Sequence, residues 1–216
     1  MKKYDIIAFD LDGTLTNPER GLVAGFRYAF DKLGVKYESK ESLKHFIGPP
    51  LFDEWKSCFG FNDDECNEAL RIFREFYNVY GWRENDLYPG IPELLSSLKA
   101  SGKKLLVATS KPEAVAKKVL NLFDLTKYFD FISTATLDKK RDKKFEVVQY
   151  ALESIGRPDK DKCILVGDRV FDAEGAKTVG IDSLGVLYGH GSISEITSAG
   201  FNYVAESVSD VLMILK

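Results

Sequence analysis

Short uninterrupted apolar runs alternate along the chain with stretches whose apolar residues recur every three or four positions. The runs at 4–9 (YDIIAF), 103–108 (KKLLVA), 129–133, 163–166 (CILV) and 182–187 predict strands, and 203–205 predicts a short edge strand. Apolar runs without alternation belong to a sheet covered on both faces, the pattern of parallel strands. Helices are predicted between them at 91–100, 112–122, 144–155 and 171–179. Gly102, Gly156 and Gly180 lie just beyond three of these helices, and Pro112 opens another, where its missing N–H costs nothing. Strand and helix repeated in this way predict a doubly wound α/β sheet.

The interval 16–84 breaks the rhythm, and no strand is expected in it. Asn17-Pro18 opens a helix with Leu22, Phe26, Phe30 and Leu33 on one stripe, closed by Gly34. Further helices are expected at 39–46, 51–59 and 63–80, the last with Leu70, Phe73, Tyr77 and Tyr80 spaced for burial. Ile47-Gly48-Pro49-Pro50 reads as a rigid turn. The expected division is therefore an α/β core of 1–15 and 85–216 carrying an inserted all-helical domain at 16–84, with hinges at 15–17 and 83–87.

A length of 216 residues suits one large domain, or one domain with an insert. Lys and Arg number 30 against 33 Asp and Glu, a net charge of −3, so neither a nucleic-acid partner nor a membrane surface is expected. A phosphorylated small molecule remains open, because a few local cations hold one phosphate. No apolar run approaches the roughly 18 residues that span a bilayer, nor the apolar region of a signal peptide, and the expected location is cytoplasmic. Cys58, Cys66 and Cys163 form no CxxC pair, which predicts reduced thiols rather than disulfides or zinc ligands.

The first strand ends Phe9-Asp10-Leu11-Asp12-Gly13-Thr14-Leu15. Ligands of open α/β sheets bind at the carboxyl ends of strands, and two carboxylates gathered there need a cation, a proton or a substrate. The second strand ends at Thr109, where the hydroxyls of Thr109 and Ser110 before a helix N-terminus form a candidate phosphate-binding corner. The fourth ends Val166-Gly167-Asp168-Arg169-Val170-Phe171-Asp172. A hard cation such as Mg²⁺ takes oxygen ligands from one or two carboxylates, which Asp10 and Asp168 would supply if their strands are neighbours. Asp172 near the next helix start would orient a lysine or a metal-bound water, or cap the helix. The cationic stretch 137–144 offers a counter-charge; Lys144 is the candidate, with Lys143 and Arg141 as rivals that spacing does not separate.

Together and in this order, the DLDGTL stretch at 10–15, the strand ending at Thr109, a lysine near 144 and the GDRVFD stretch at 167–172 resemble the haloacid dehalogenase superfamily, specifically its Mg²⁺-dependent phosphatases. The chain departs from that pattern in lacking the Gly-Lys-Pro lead-in to the lysine. The insert after the first motif and the overall length are similar to the phosphoglycolate phosphatase-like branch, which includes nucleotide phosphatases. The resemblance implies a Rossmann-like core, a helical cap and a two-step hydrolysis of a small phosphorylated metabolite by a monomer or homodimer. It implies that Asp10 attacks phosphorus, and that Asp12 protonates the leaving oxygen, activates water and lends its carbonyl to Mg²⁺. Thr109, Ser110 and Lys144 then hold phosphoryl oxygens, Asp10 and Asp168 bind the metal, and Asp172 supports them. Within the cap, Arg20, His45 and Gly48 are candidate substrate contacts. The loop at Tyr188-Gly189-His190-Gly191 reads as a flexible surface segment rather than a border of the site. A 5'-nucleotidase-type enzyme and a phosphomutase share the same catalytic set. A metal-free dehalogenase has no need of Asp12, and a non-enzymatic module would not retain every carboxylate.

Overall fold

The computed structural model describes residues 2–48, 51–136, 138 and 140–216. Pro49 and Pro50 of the expected rigid turn, and Leu137 and Lys139 of the cationic stretch, lie outside the described residues. Strand β1 (Ile6–Phe9) and β2 (Thr16–Asn17) precede helices α1 (Glu19–Leu33), α2 (Leu51–Phe59) and α3 (Asp63–Tyr77). Then come β3 (Asp86–Leu87), α4 (Ile91–Ala100), β4 (Lys104–Pro112), α5 (Glu113–Leu122) and β5 (Phe131–Ala135). The chain continues through α6 (Lys144–Ser154), β6 (Cys163–Gly167), α7 (Val170–Val179) and β7 (Asp182–Val186). It ends with α8 (Ile193–Ser198), β8 (Tyr203–Ala205) and α9 (Val208–Leu215). The described residues fall into two units, those of 2–17 with those of 87–216, and those of 18–86.

The larger unit is built on a six-stranded sheet ordered β5-β4-β1-β6-β7-β8, parallel at every pairing. All of β1 and β6 is buried, which is why their sequences are apolar without alternation. On one face Ile6, Ala8, Leu106, Ala108 and Leu165 pack against Val147, Val148 and Ala151 of α6 and Ala176 and Val179 of α7. The strand order makes β1 the switch point: the chain builds β4 and β5 on one side of it and β6, β7 and β8 on the other. Phe9 is level with both Val107 and Val166, so the loops after β1, β4 and β6 open at one edge.

The unit 18–86 has an aromatic core. Trp55 is fully buried; Phe30 lies 5.2 Å from it, and Phe26 stacks on Phe73 at 5.3 Å. Such pairs contribute about 0.5–1.5 kcal/mol each beyond area burial. Gly21 and Gly25 of α1 are buried, and no side chain fits there: a Cβ would stand 2.0 Å from the Gly81 carbonyl oxygen or 2.7 Å from the Phe73 ring.

Several local expectations are corrected. The helix at 39–46 is only a 3₁₀ turn, Ser42–Phe46. Helix α3, opened by a reciprocal Asn62–Glu65 cap, stops at Tyr77 rather than residue 80, which leaves Tyr80 exposed. Leu33 is likewise exposed: the buried stripe of α1 runs through Gly21, Gly25, Phe26, Ala29 and Phe30. β2 falls where no strand was expected and pairs with β3 in a two-stranded ribbon. Helices α8 and α9 fall where no helix is expected from the sequence.

Candidate active site

Asp10 leaves β1 with its N–H still bonded to the Val166 carbonyl at 2.9 Å, so it is held level with the end of β6. Asp168 follows β6 immediately and is fully buried. Asp172 is the third residue of α7 and accepts the Arg169 N–H at 3.0 Å, a capping bond that fixes its orientation. Each of the three aspartates brings a carboxylate oxygen within 4.8 Å of the other two.

Lys144 opens α6 and reaches into this cluster with its ammonium 2.7 Å from Asp10 Oδ1 and 2.9 Å from Asp172 Oδ1, donating to the Ala108 carbonyl at 3.1 Å. Of the three cations left open by spacing, Lys144 alone touches the acids among the described residues. Lys143 is exposed at the cap of α6. Arg141 lies over the Tyr150 ring at 3.9 Å and donates to the Thr134 carbonyl.

Burial alone would lower the Lys144 pKa, but the charges of Asp10 and Asp172 outweigh it and raise the pKa above the usual lysine value. Burial, reinforced by the charges of Asp172 and Asp10, pushes Asp168 well above the carboxylate range. Burial also raises Asp172, against the pull of Lys144. One ammonium thus faces three carboxylates. Asp10 Oδ1 and Asp172 Oδ1 are buried and receive no aligned hydrogen bond, their contacts with Lys144 being ionic, so both keep lone pairs. An all-oxygen donor set with surplus negative charge fits a hard divalent cation.

Asp12 does not join the cluster. Its Oδ2 lies 2.5 Å from the ammonium of Lys111, which is not among the site residues expected from the sequence. Thr109 and Lys111 are buried and Ser110 is exposed, and the Thr109 hydroxyl accepts the Lys111 N–H at 3.2 Å. The only signal the sequence carries for it is a lysine two residues beyond Thr109 at the end of a buried apolar run.

The loop after β7 is not a free surface segment. The His190 N–H donates to Asp168 Oδ2 at 2.8 Å, and the Tyr188 hydroxyl donates to the Thr14 carbonyl at 3.1 Å. A Cβ on Gly189 would meet Asp168 Cβ at 2.3 Å, and one on Gly13, which has φ +83°, would meet Asp168 Oδ2 at 2.1 Å. Only glycine lets these two backbones close around Asp168.

The remaining candidates lie in the unit 18–86. Arg20 is exposed and pairs with Asp86 at 3.2 Å and Glu84 at 3.7 Å. His45 is exposed, 3.3 Å from Glu54 Oε2, and with Glu54 and Cys58 forms a second group whose donor atoms lie within 4.8 Å of one another. Gly48 is exposed with φ +107°.

Comparison with known proteins places this geometry. A 5'-nucleotidase of Pseudomonas aeruginosa is 39% identical over 194 residues, covering 90% of this chain and 87% of its own. The tyrosine-protein kinase PtkA of Mycobacterium tuberculosis is 34% identical over 204 residues, covering 94% of this chain and 69% of its own. The crystal structure of a protein from Clostridium difficile, named as a phosphatase, superimposes with a TM-score of 0.91 at 45% identity over 100% of both chains. The haloacid dehalogenase-like hydrolase model matches residues 7–186. With this match spanning the sheet from β1 to β7, the chain belongs to the haloacid dehalogenase-like hydrolase family.

Proposed function

We propose that the protein is a phosphatase that hydrolyses a small phosphomonoester by way of a covalent phosphoryl group on Asp10. The observation that carries this reading is the convergence of Asp10, Asp168, Asp172 and Lys144 at the carboxyl edge of the switch-point strand. The named relatives support phosphate-ester chemistry; the fully covering Clostridium difficile structure and the Pseudomonas aeruginosa 5'-nucleotidase carry most weight.

Asp10, Asp168 and the main-chain carbonyl of Asp12 would hold Mg²⁺. When bound, the ion neutralises charge on the phosphoryl oxygens and so lets an anionic substrate approach carboxylates. Asp10 attacks phosphorus, forming an O–P bond as the bond to the leaving oxygen breaks. Asp12 gives that oxygen a proton, then takes one from the water that cleaves the aspartyl-phosphate. Lys144 and the Thr109–Ser110 corner hold the phosphoryl oxygens, and Asp172 keeps Lys144 aimed. The unit 18–86 serves as the cap that reads the leaving group, with Arg20, His45 and Gly48 as its candidate contacts.

The favoured substrate is a small metabolite of the phosphoglycolate type. The second reading is a nucleoside monophosphate, favoured by the name of the 39% identical relative. A panel of phosphomonoesters with Mg²⁺, ranked by kcat/KM, separates them. Asp10→Asn is expected to abolish turnover while the circular dichroism spectrum is kept; near-normal activity in that variant would remove the nucleophile assignment. A transferase, the possibility raised by the kinase-named relative, would move phosphate to a tyrosine peptide instead of releasing it.

A further inference from the structure

Lysine is seldom buried without a reason, because its ammonium must be paired to leave water. The Lys111 side chain is only 5% exposed, and its ammonium lies 2.5 Å from Asp12 Oδ2. The backbone is shaped to bring it there. Thr109 pairs with Thr134, and the next partners on this edge are Pro112 and Ala135, so Ser110 and Lys111 bulge out of the ladder. Bulges beside active sites re-aim a side chain. At the far end of the contact the two carboxylate oxygens of Asp12 are unequal. Oδ2 is held by Lys111, whereas Oδ1 is buried and has no hydrogen-bond partner among the described residues.

We propose that Lys111 is a positioning residue for proton transfer: by anchoring Oδ2 it fixes the Asp12 carboxylate in one rotamer and leaves Oδ1 as the oxygen that exchanges a proton with the leaving group. This rests on the phosphatase reading and on the role given there to Asp12. Carboxylate torsions are broad and roughly two-fold, so an unanchored Asp12 would sample orientations from which neither oxygen is aimed. A misdirected proton donor costs rate only where a proton is needed. Lys111 therefore matters most for leaving groups that depart poorly as anions.

The test is a series of phosphomonoesters from p-nitrophenyl phosphate to simple alkyl phosphates, measured as kcat/KM, which reports the steps up to loss of the leaving group. Removing well-placed general-acid help costs about 10²–10⁴-fold. Lys111→Met is expected to lose about 100-fold on the alkyl esters and less than about threefold on p-nitrophenyl phosphate. Lys111→Arg, which keeps a cation at the anchor, is expected to recover most of the alkyl activity and guards against a Lys111→Met chain that fails to fold. In an Asp12→Asn background, Lys111→Met should leave the leaving-group dependence unchanged, as coupled residues require. Equal losses on every ester, or no loss on any, would overturn the inference while leaving the phosphatase reading in place. If Asp12→Asn itself left the leaving-group dependence of the wild type intact, the role of Asp12 would fall first, and the role of Lys111 with it.

Discussion

The ammonium of Lys144 lies 2.7 Å from Asp10 Oδ1, so a helix-opening lysine and the acid at the end of the central strand form one buried ion pair. The same ammonium is the counter-charge of Asp172, which is 1% exposed. Breaking a buried pair by removing one partner leaves an uncompensated charge and costs about 3–5 kcal/mol. Lys144→Met is therefore expected to lower the urea midpoint by that equivalent and to cut turnover at least about 100-fold. Retention of wild-type stability would show that Asp172 is not charged in the folded protein.

Mg²⁺ is expected to stabilise the protein, because it relieves the repulsion among Asp10, Asp168 and Asp172. A ligand at one hundred times its dissociation constant adds about 2.7 kcal/mol. Asp168→Asn should unfold at or above the wild-type temperature without the ion, since one crowded carboxylate is gone, and should show no upward shift when Mg²⁺ is added. Thermal unfolding with and without EDTA reads both. A full Mg²⁺ shift in Asp168→Asn would exclude Asp168 as a ligand.

Gly189→Ala places a methyl group 2.3 Å from Asp168 Cβ and 2.4 Å from the Gly13 carbonyl oxygen. The backbone must move, and small misplacements of reacting groups cost about 10²-fold in rate. The control is Gly102→Ala, at φ +77° with nothing within 4 Å of the new Cβ. It should cost about 1–2 kcal/mol of backbone strain and no activity. Initial rates and denaturant midpoints on both variants test the contrast; a fully active Gly189→Ala would mean that the loop after β7 does not set Asp168.

Asp182 accepts the Tyr4 hydroxyl at 2.5 Å and the Lys2 ammonium at 2.9 Å. Burial would raise its pKa, but these donors outweigh burial and hold it below the usual aspartate value. A depressed acid binds fewer protons folded than unfolded, so its contribution is present above the unfolded pKa of about 3.9 and is lost as pH falls through the folded value. Asp182→Asn is expected to destabilise by about 1–2 kcal/mol at pH 7. Its stability should converge on that of the wild type in acid, as followed by denaturant midpoints across pH. A constant difference down to acid would assign the effect to packing.

The elements were largely legible because their signals are local. Helices α2 and α4 and strand β8 run between the bounds that apolar spacing, Pro and Gly predict, and strands buried on both faces announce themselves as unbroken apolar runs. The parallel α/β core and the acids of the DLDGTL and GDRVFD stretches were legible for the same reason: each motif closes a strand whose pattern is clear. Short elements such as β2, α8 and the 3₁₀ turn at Ser42–Phe46 were not, since they span too few residues to establish a period.

The chain by itself therefore determined the sheet-forming segments, the helical insert and which acids stand at strand ends. Which cation serves those acids was decided by tertiary structure. Lys144, Lys143 and Arg141 are near-equivalent in sequence, and only the approach of α6 to the end of β1 selects Lys144. The pairing of Lys111 with Asp12 and the closure of the 188–191 loop on Asp168 were likewise invisible. Those contacts arise from strand register, from a bulge and from backbone approach between segments remote in sequence. Periodicity records how a residue sits in its own element, and it carries no information about which distant element arrives opposite.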